Sequence, residues 1–164
     1  MILQVGVKAL LRNKEGKYLL LKRAPSKSKG IDGTWDIVGG RIEVGTNLID
    51  NLQREIREET KLELSSSPEL IYAQDIFWKE RDTHVVRLTY IAEADGQPVL
   101  DMNENIQYRW VSIEEMTSCS PLDKYVQELI NAKKIQWFLY ETESNDRERP
   151  HAIWLYVRTH GTSW

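Results

Sequence analysis

Glu55, Glu58 and Glu59 crowd one short stretch, residues 39–62, which reads GGRIEVGTNLIDNLQREIREETKL. The spacing of Leu48, Ile49, Leu52 and Ile56 predicts a helix over 47–61, since on a wheel with Leu48 at zero these side chains share an arc of roughly 100°. Asp50, Gln53, Arg57, Thr60 and Lys61 fall on the other, solvated side. Glu59 breaks the division: it lies at ~20°, among the apolar side chains, with Glu55 at ~340° and Glu58 at ~280°. Like charges on adjacent helical positions cost a few tenths of a kcal/mol per exposed pair, and more when buried. Two readings of the patch stand at this level. An E-x-x-E-E triplet is usually a solvated face, in which Arg54 and Arg57 pair with the acids. A bound hard cation would satisfy all three, because Mg²⁺ takes carboxylate oxygens and bridges to phosphates. Gly39 and Gly40 suit the second reading, since a loop without side chains lets backbone approach a metal or phosphate closely.

The same stretch resembles the signature box of the Nudix family. The match falls on Gly40, Arg54, Glu55, Ile56, Glu58, Glu59 and Leu62, and it fails at two positions. Thr46 stands where the family has glutamate, and Lys61 where it has glycine. The resemblance extends over residues 5–130 and implies an α+β fold, an α/β/α sandwich around a mixed β-sheet. It implies a hydrolase that cleaves a phosphoanhydride bond of a nucleoside di- or triphosphate derivative by metal-assisted attack of water on phosphorus. Mg²⁺ is the expected cofactor, with Mn²⁺ as its substitute. By resemblance the metal ligands are Glu55, Glu58, Glu59 and the Gly40 carbonyl, while Arg54 orients the carboxylates. The general base is either a box glutamate or an acid from a later loop, where Glu104 is the candidate beside Asp101 and Asn105; a solvated loop charge is the competing reading of Glu104. The catalytic set is therefore Arg54, Glu55, Glu58 and Glu104. Substrate contacts are assigned to Arg23, Trp35 and Trp78, although an aromatic residue in a strand is more often core. Residues 74–78 carry neither the proline nor the tyrosine that marks the ADP-ribose and dinucleoside-polyphosphate subfamilies. The runner-up activity is that of an ADP-ribose or nucleotide-sugar pyrophosphatase. A different class, a catalytically decayed module for sensing ligands or binding partners, would account for Thr46 and Lys61. A threonine at 46 has no charge, but its hydroxyl can cap the start of the box helix.

Positioning the box requires elements on both sides of it. Residues 5–11 and 17–23 are β-rich runs around Asn13-Lys14-Glu15-Gly16, a hairpin signal. Residues 24–33 form a polar loop, and 35–38 a short apolar run. Further strands are expected at 70–78, 85–93 and 108–111. A second helix is expected at 122–130, where Leu122, Tyr125, Val126, Leu129 and Ile130 make one apolar stripe. The catalytic domain is taken as 1–134. Residues 135–164 form an aromatic-rich extension, with runs at 135–140 and 152–158, packed on the same domain or on a partner subunit.

With 164 residues the chain can bury a core without disulfides or structural metal. Its formal net charge of −3 argues against binding to duplex nucleic acid, which needs a basic face. One cysteine, Cys119, excludes an internal disulfide. No apolar run approaches the ~20 residues of a membrane span, and the first residues, interrupted by Gln4 and Lys8, lack the form of a signal peptide. A cytoplasmic protein acting on a small nucleotide, away from membranes, is the expectation, with a homodimer left open.

Overall fold

A computed structural model describes residues 1–25 and 33–135. Asn13 turns the chain between β1 (Ile2–Arg12) and β2 (Tyr18–Arg23), its side-chain oxygen accepting from the amides of Glu15 at 3.1 Å and Lys17 at 2.9 Å. The two strands pair at Arg12 and Tyr18 and then separate. Into the opening comes the chain around the glycine pair. The amides of Ala9 and Val7 donate to the carbonyls of Val38 and Gly40, and that of Ile42 donates to Val5. The sheet thus holds the glycine loop by three backbone bonds, each worth about 1 kcal/mol net.

Beyond the opening, β2 pairs with the two-residue β3 (Trp35–Asp36) and with β6 (Asn105–Val111), both antiparallel. On its other side β1 runs parallel to β5 (Thr83–Glu93), from the Ile2–Thr83 pair to Arg12–Glu93. Antiparallel to β5 lies β4 (Glu69–Trp78), at the edge of the sheet. A single 3-10 turn, Lys79–Arg81, links β4 to β5.

Strand periodicity sorts the side chains onto two faces. On one, Val7, Ala9 and Leu11 meet Leu52 and Ile56 of α1 (Leu48–Thr60). On the other, Leu10, Leu20 and Ile91 meet Met116 of α2 (Ile113–Ser118) and Val126 and Leu129 of α3 (Lys124–Asn131). Each such fully buried aliphatic side chain contributes about 1.5–3 kcal/mol. The result is an α+β sandwich with a mixed sheet between helices.

The elements differ from the sequence expectation in detail. β1 starts at Ile2 because its parallel register with β5 uses the first residues despite their exposure. α2 is too short for periodicity to show, and is marked only by a capping box in which Ser112 and Glu115 satisfy each other's backbone amides. α3 begins at Lys124, behind Asp123 as its N-cap. Thr60, placed on the solvated side of the box helix, is fully buried, its hydroxyl bonded to the Ile56 carbonyl at 2.6 Å. At the end of the described chain Ile135 is buried in the second core, and the aromatic extension past it lies outside the described residues.

Candidate active site

The box helix is fixed at both ends by residues that leave the glutamates free to face the glycine loop. Asn47 is its N-cap, accepting from the Asp50 amide at 2.8 Å. The capping role expected of Thr46 therefore belongs to its neighbour, and Thr46 is exposed. Asn51, one turn in, is fully buried: it accepts from the Glu43 amide at 2.8 Å and donates to the carbonyls of Thr46 and Asn47. That side chain ties the loop after the glycines to the helix. At the far end Lys61 adopts φ 58°, the left-handed conformation that closes many helices. Glycine takes that conformation without strain, which is the physical reason for a glycine there, and lysine takes it at a cost near 1 kcal/mol.

The glycine pair is required by packing. Gly39 has φ 126°, and a Cβ on it would lie 2.2 Å from the Val7 carbonyl oxygen. A Cβ on Gly40 would lie 2.6 Å from Glu55 Oε2. The Glu55 carboxylate thus rests directly on the Gly40 backbone. The Gly40 carbonyl spends one lone pair on the Val7 amide at 2.9 Å.

Arg54 sits at the centre of the acids. Its guanidinium donates to Glu55 Oε1 and Glu58 Oε2, each at 2.8 Å, and to the Arg41 carbonyl at 3.2 Å, with Glu43 3.7 Å away. Asp50, a sequence neighbour at helical spacing, pairs with Asn47 instead. Glu55 is nearly covered and Glu58 open, their side chains 13% and 58% exposed. Burial raises the Glu55 carboxyl above its usual range despite the opposing Arg54. Glu59, partly buried as its wheel position predicts, accepts from the Asn105 side-chain amide at 3.1 Å. Burial pushes its carboxyl up to about 7, against the attraction of Lys8. Among the described residues, no three acidic or histidine side chains converge on one point: Glu55 and Glu58 turn to Arg54, and Glu59 to Asn105.

Behind Glu59 runs a buried ion network. Lys8 Nζ lies 2.8 Å from Asp36 Oδ2 and 2.9 Å from the Ile37 carbonyl. Arg87 bridges Asp36 at 3.3 Å to Asp123 at 3.0 Å, and Asp123 caps α3. Burial alone would raise Asp36, but Lys8 and Arg87 together hold it well below the usual carboxylate range.

The other sequence candidates are placed unequally. Arg23 ends β2, and its charge opposes the burial that raises Glu59 and adds to the attraction that lowers Asp36. Glu104 is half-buried, one residue before Asn105, with its carbonyl accepting from Ala24 at 2.8 Å. Trp78, half-buried, carries the guanidinium carbons of Arg41 and Arg81, each 5.3 Å from its ring centroid. Trp35 does not fit its assignment as a substrate contact. It is 3% exposed, part of the second core, with Arg109 4.8 Å from its ring. Asn51, Asn105 and Lys8 were not singled out by the sequence. The signal for Asn51 is its place at ~300° on the wheel, between the acids; for Lys8 it is a charge inside an apolar strand.

The comparisons agree with this architecture. The model of the NUDIX domain matches residues 2–138. The nucleoside triphosphatase NudI of Escherichia coli is 31% identical over 116 residues, which cover 65% of this chain and 80% of that protein. The crystal structure of a MutT protein from Methanosarcina mazei superimposes with a TM-score of 0.71 at 24% identity, over 82% of this chain and 95% of that one. An ADP-ribose pyrophosphatase from Streptococcus suis is more distant, with a TM-score of 0.51 at 18% identity, over 68% of this chain and 75% of that one. Sequence, fold and the loop–helix that carries the glutamates converge, and the chain belongs to the Nudix family of hydrolases.

Proposed function

We propose that this hydrolase cleaves a phosphoanhydride bond of a nucleoside triphosphate or a related nucleoside diphosphate derivative, with Mg²⁺ as its cofactor and Mn²⁺ as the substitute. The observation that carries the reading is the imbalance of charge at the glycine loop. Glu55 and Glu58 share one guanidinium, while Glu59, bonded to Asn105 and attracted by Lys8 and Arg23, is still pushed up to about 7 by burial. A divalent cation is the partner that such a set lacks, and oxygen donors in this number suit a hard ion. The residues present fit it: Glu55, Glu58 and Glu59 would hold the cation once they turn from Arg54 and Asn105, and the second lone pair of the Gly40 carbonyl is a further donor. When bound, the ion neutralises charge that builds on the phosphate oxygens.

The chain's own groups then have distinct tasks. Arg54 keeps the Glu55 and Glu58 carboxylates oriented, and its bond to the Arg41 carbonyl ties them to the glycine loop. Arg23 and Lys8 keep positive charge beside Glu59. Glu104, on the loop next to Asn105, accepts the proton of the attacking water. Trp78 borders the nucleotide. NudI of Escherichia coli is a nucleoside triphosphatase, and that likeness favours triphosphates over ADP-ribose. Among the described residues no helix is long and apolar enough to cross a membrane. A cytoplasmic location and a small nucleotide as substrate belong to the same proposal. The test is a hydrolysis screen over nucleoside triphosphates, nucleoside diphosphates, nucleotide sugars and ADP-ribose with Mg²⁺. Turnover of a triphosphate is expected; turnover of none of them contradicts the reading.

A further inference from the structure

Arg41 and Arg81 come from separate parts of the chain and meet on one indole. Arg41 follows the glycine pair, and Arg81 ends the 3-10 turn after β4. Each guanidinium carbon lies 5.3 Å from the centroid of Trp78. Two like charges held on one ring repel each other, so a site of this kind is expected to be compensated. Among the described residues neither arginine has a carboxylate ion pair. Of the two acids that flank Arg81, Asp82 is engaged 2.9 Å from the N-terminal ammonium, and Glu80 forms no ion pair with either arginine among the described residues. In a chain of net charge −3, an uncompensated pair of guanidiniums is a local inversion of sign, and it attracts anions.

The pair also stands in the right place. The Arg41 backbone belongs to the glutamate site, since its carbonyl accepts from Arg54 at 3.2 Å and Gly40 beside it lies under the Glu55 carboxylate. The Arg41 side chain starts there and reaches Trp78 on the edge strand. Guanidinium groups match phosphate by paired N–H donors, and an aromatic platform holds them in place with little loss of freedom on binding. We propose that Arg41 and Arg81, gathered on Trp78, form a polyphosphate-binding arm beside the glutamates that selects nucleoside triphosphates over diphosphates. This rests on the reading of the glutamate site as a nucleotide phosphoanhydride hydrolase. A diphosphate seated on the glutamates leaves the arm unfilled, whereas a third phosphate extends onto it.

The experiment compares wild type with Arg41→Gln, Arg81→Gln and the double variant, on a nucleoside triphosphate and the matching diphosphate with Mg²⁺. Binding of inorganic tripolyphosphate is measured on the same proteins by calorimetry. The ratio of kcat/KM for triphosphate over diphosphate should fall at least tenfold in the double variant, with lysine at both positions restoring much of it. Tripolyphosphate binding should weaken in parallel. A ratio within threefold of wild type overturns the proposal, whatever happens to the melting temperature. If wild type hydrolyses neither nucleotide, the functional reading fails separately and tripolyphosphate binding decides. Binding lost in the double variant then supports the arm, and binding that is absent or unchanged overturns it.

Discussion

Glu59 is the residue on which most turns. A carboxylate in an apolar stripe is expensive unless something takes its charge, and the sequence already marks it by wheel position. Glu59→Gln keeps shape and the Asn105 contact while removing the charge. The rate on the best substrate should drop by a hundredfold or more, about 2.7 kcal/mol in the barrier, with the melting temperature unchanged or raised. A variant that turns over normally but melts early would make Glu59 a structural ion-pair partner. Lys61 makes the opposite kind of prediction. Its left-handed conformation at φ 58° is paid in stability, and Lys61→Gly should stabilise the protein by about 0.5–1 kcal/mol. On a domain of this size that raises Tm by roughly 1–4 °C, readable by calorimetry. Activity should stay within twofold, because among the described residues the Lys61 side chain hydrogen-bonds only the Glu58 carbonyl, at 3.4 Å.

At the scale of elements, the box helix and the glycine loop act as one unit through Asn51. Its three bonds to backbone groups of Glu43, Thr46 and Asn47 replace water for groups that would otherwise be buried unsatisfied. Asn51→Ala should cost about 2–3 kcal/mol in urea unfolding and lower turnover as well, since the loop that bears Gly40 loosens. A loss of stability with full activity would separate the two elements. The Lys8–Asp36–Arg87 network joins β1, β3 and β5 and continues to the cap of α3. Asp36 is depressed in the folded protein, so its contribution is present above its unfolded value near 3.9 and is lost as pH falls through the lower folded value. Asp36→Asn takes the carboxylate from Lys8 and leaves Arg87 with Asp123 alone, and should cost roughly 3–5 kcal/mol at pH 7. The gap to wild type should narrow below about pH 4, where the native carboxyl begins to protonate in the unfolded chain. A gap that is constant from pH 7 to pH 3 would mean that the pairing carries no weight.

For the whole molecule, legibility followed the strength of local pattern. The helix of 47–61 was readable because four apolar side chains share one arc, and it runs Leu48–Thr60 between Asn47 and Lys61. The strands were readable from their β-rich runs, but their partners were not. Nothing local says that β1 pairs in parallel with β5, or that it parts from β2 to admit the glycine loop. The glutamates stand out as candidates because their spacing is a local property. Asn105 and the Asp36 network escaped because they act across the sheet, and Trp35 was misassigned because an aromatic residue carries no local mark of burial.

The role proposed for the three glutamates is to hold a divalent cation. Its most direct test is turnover of a nucleoside triphosphate by chelator-treated protein as Mg²⁺ is titrated back. Phosphate or pyrophosphate release should be absent without the metal and should rise to saturation as Mg²⁺ is added. Undiminished turnover in the metal-free, chelator-containing buffer would contradict that role.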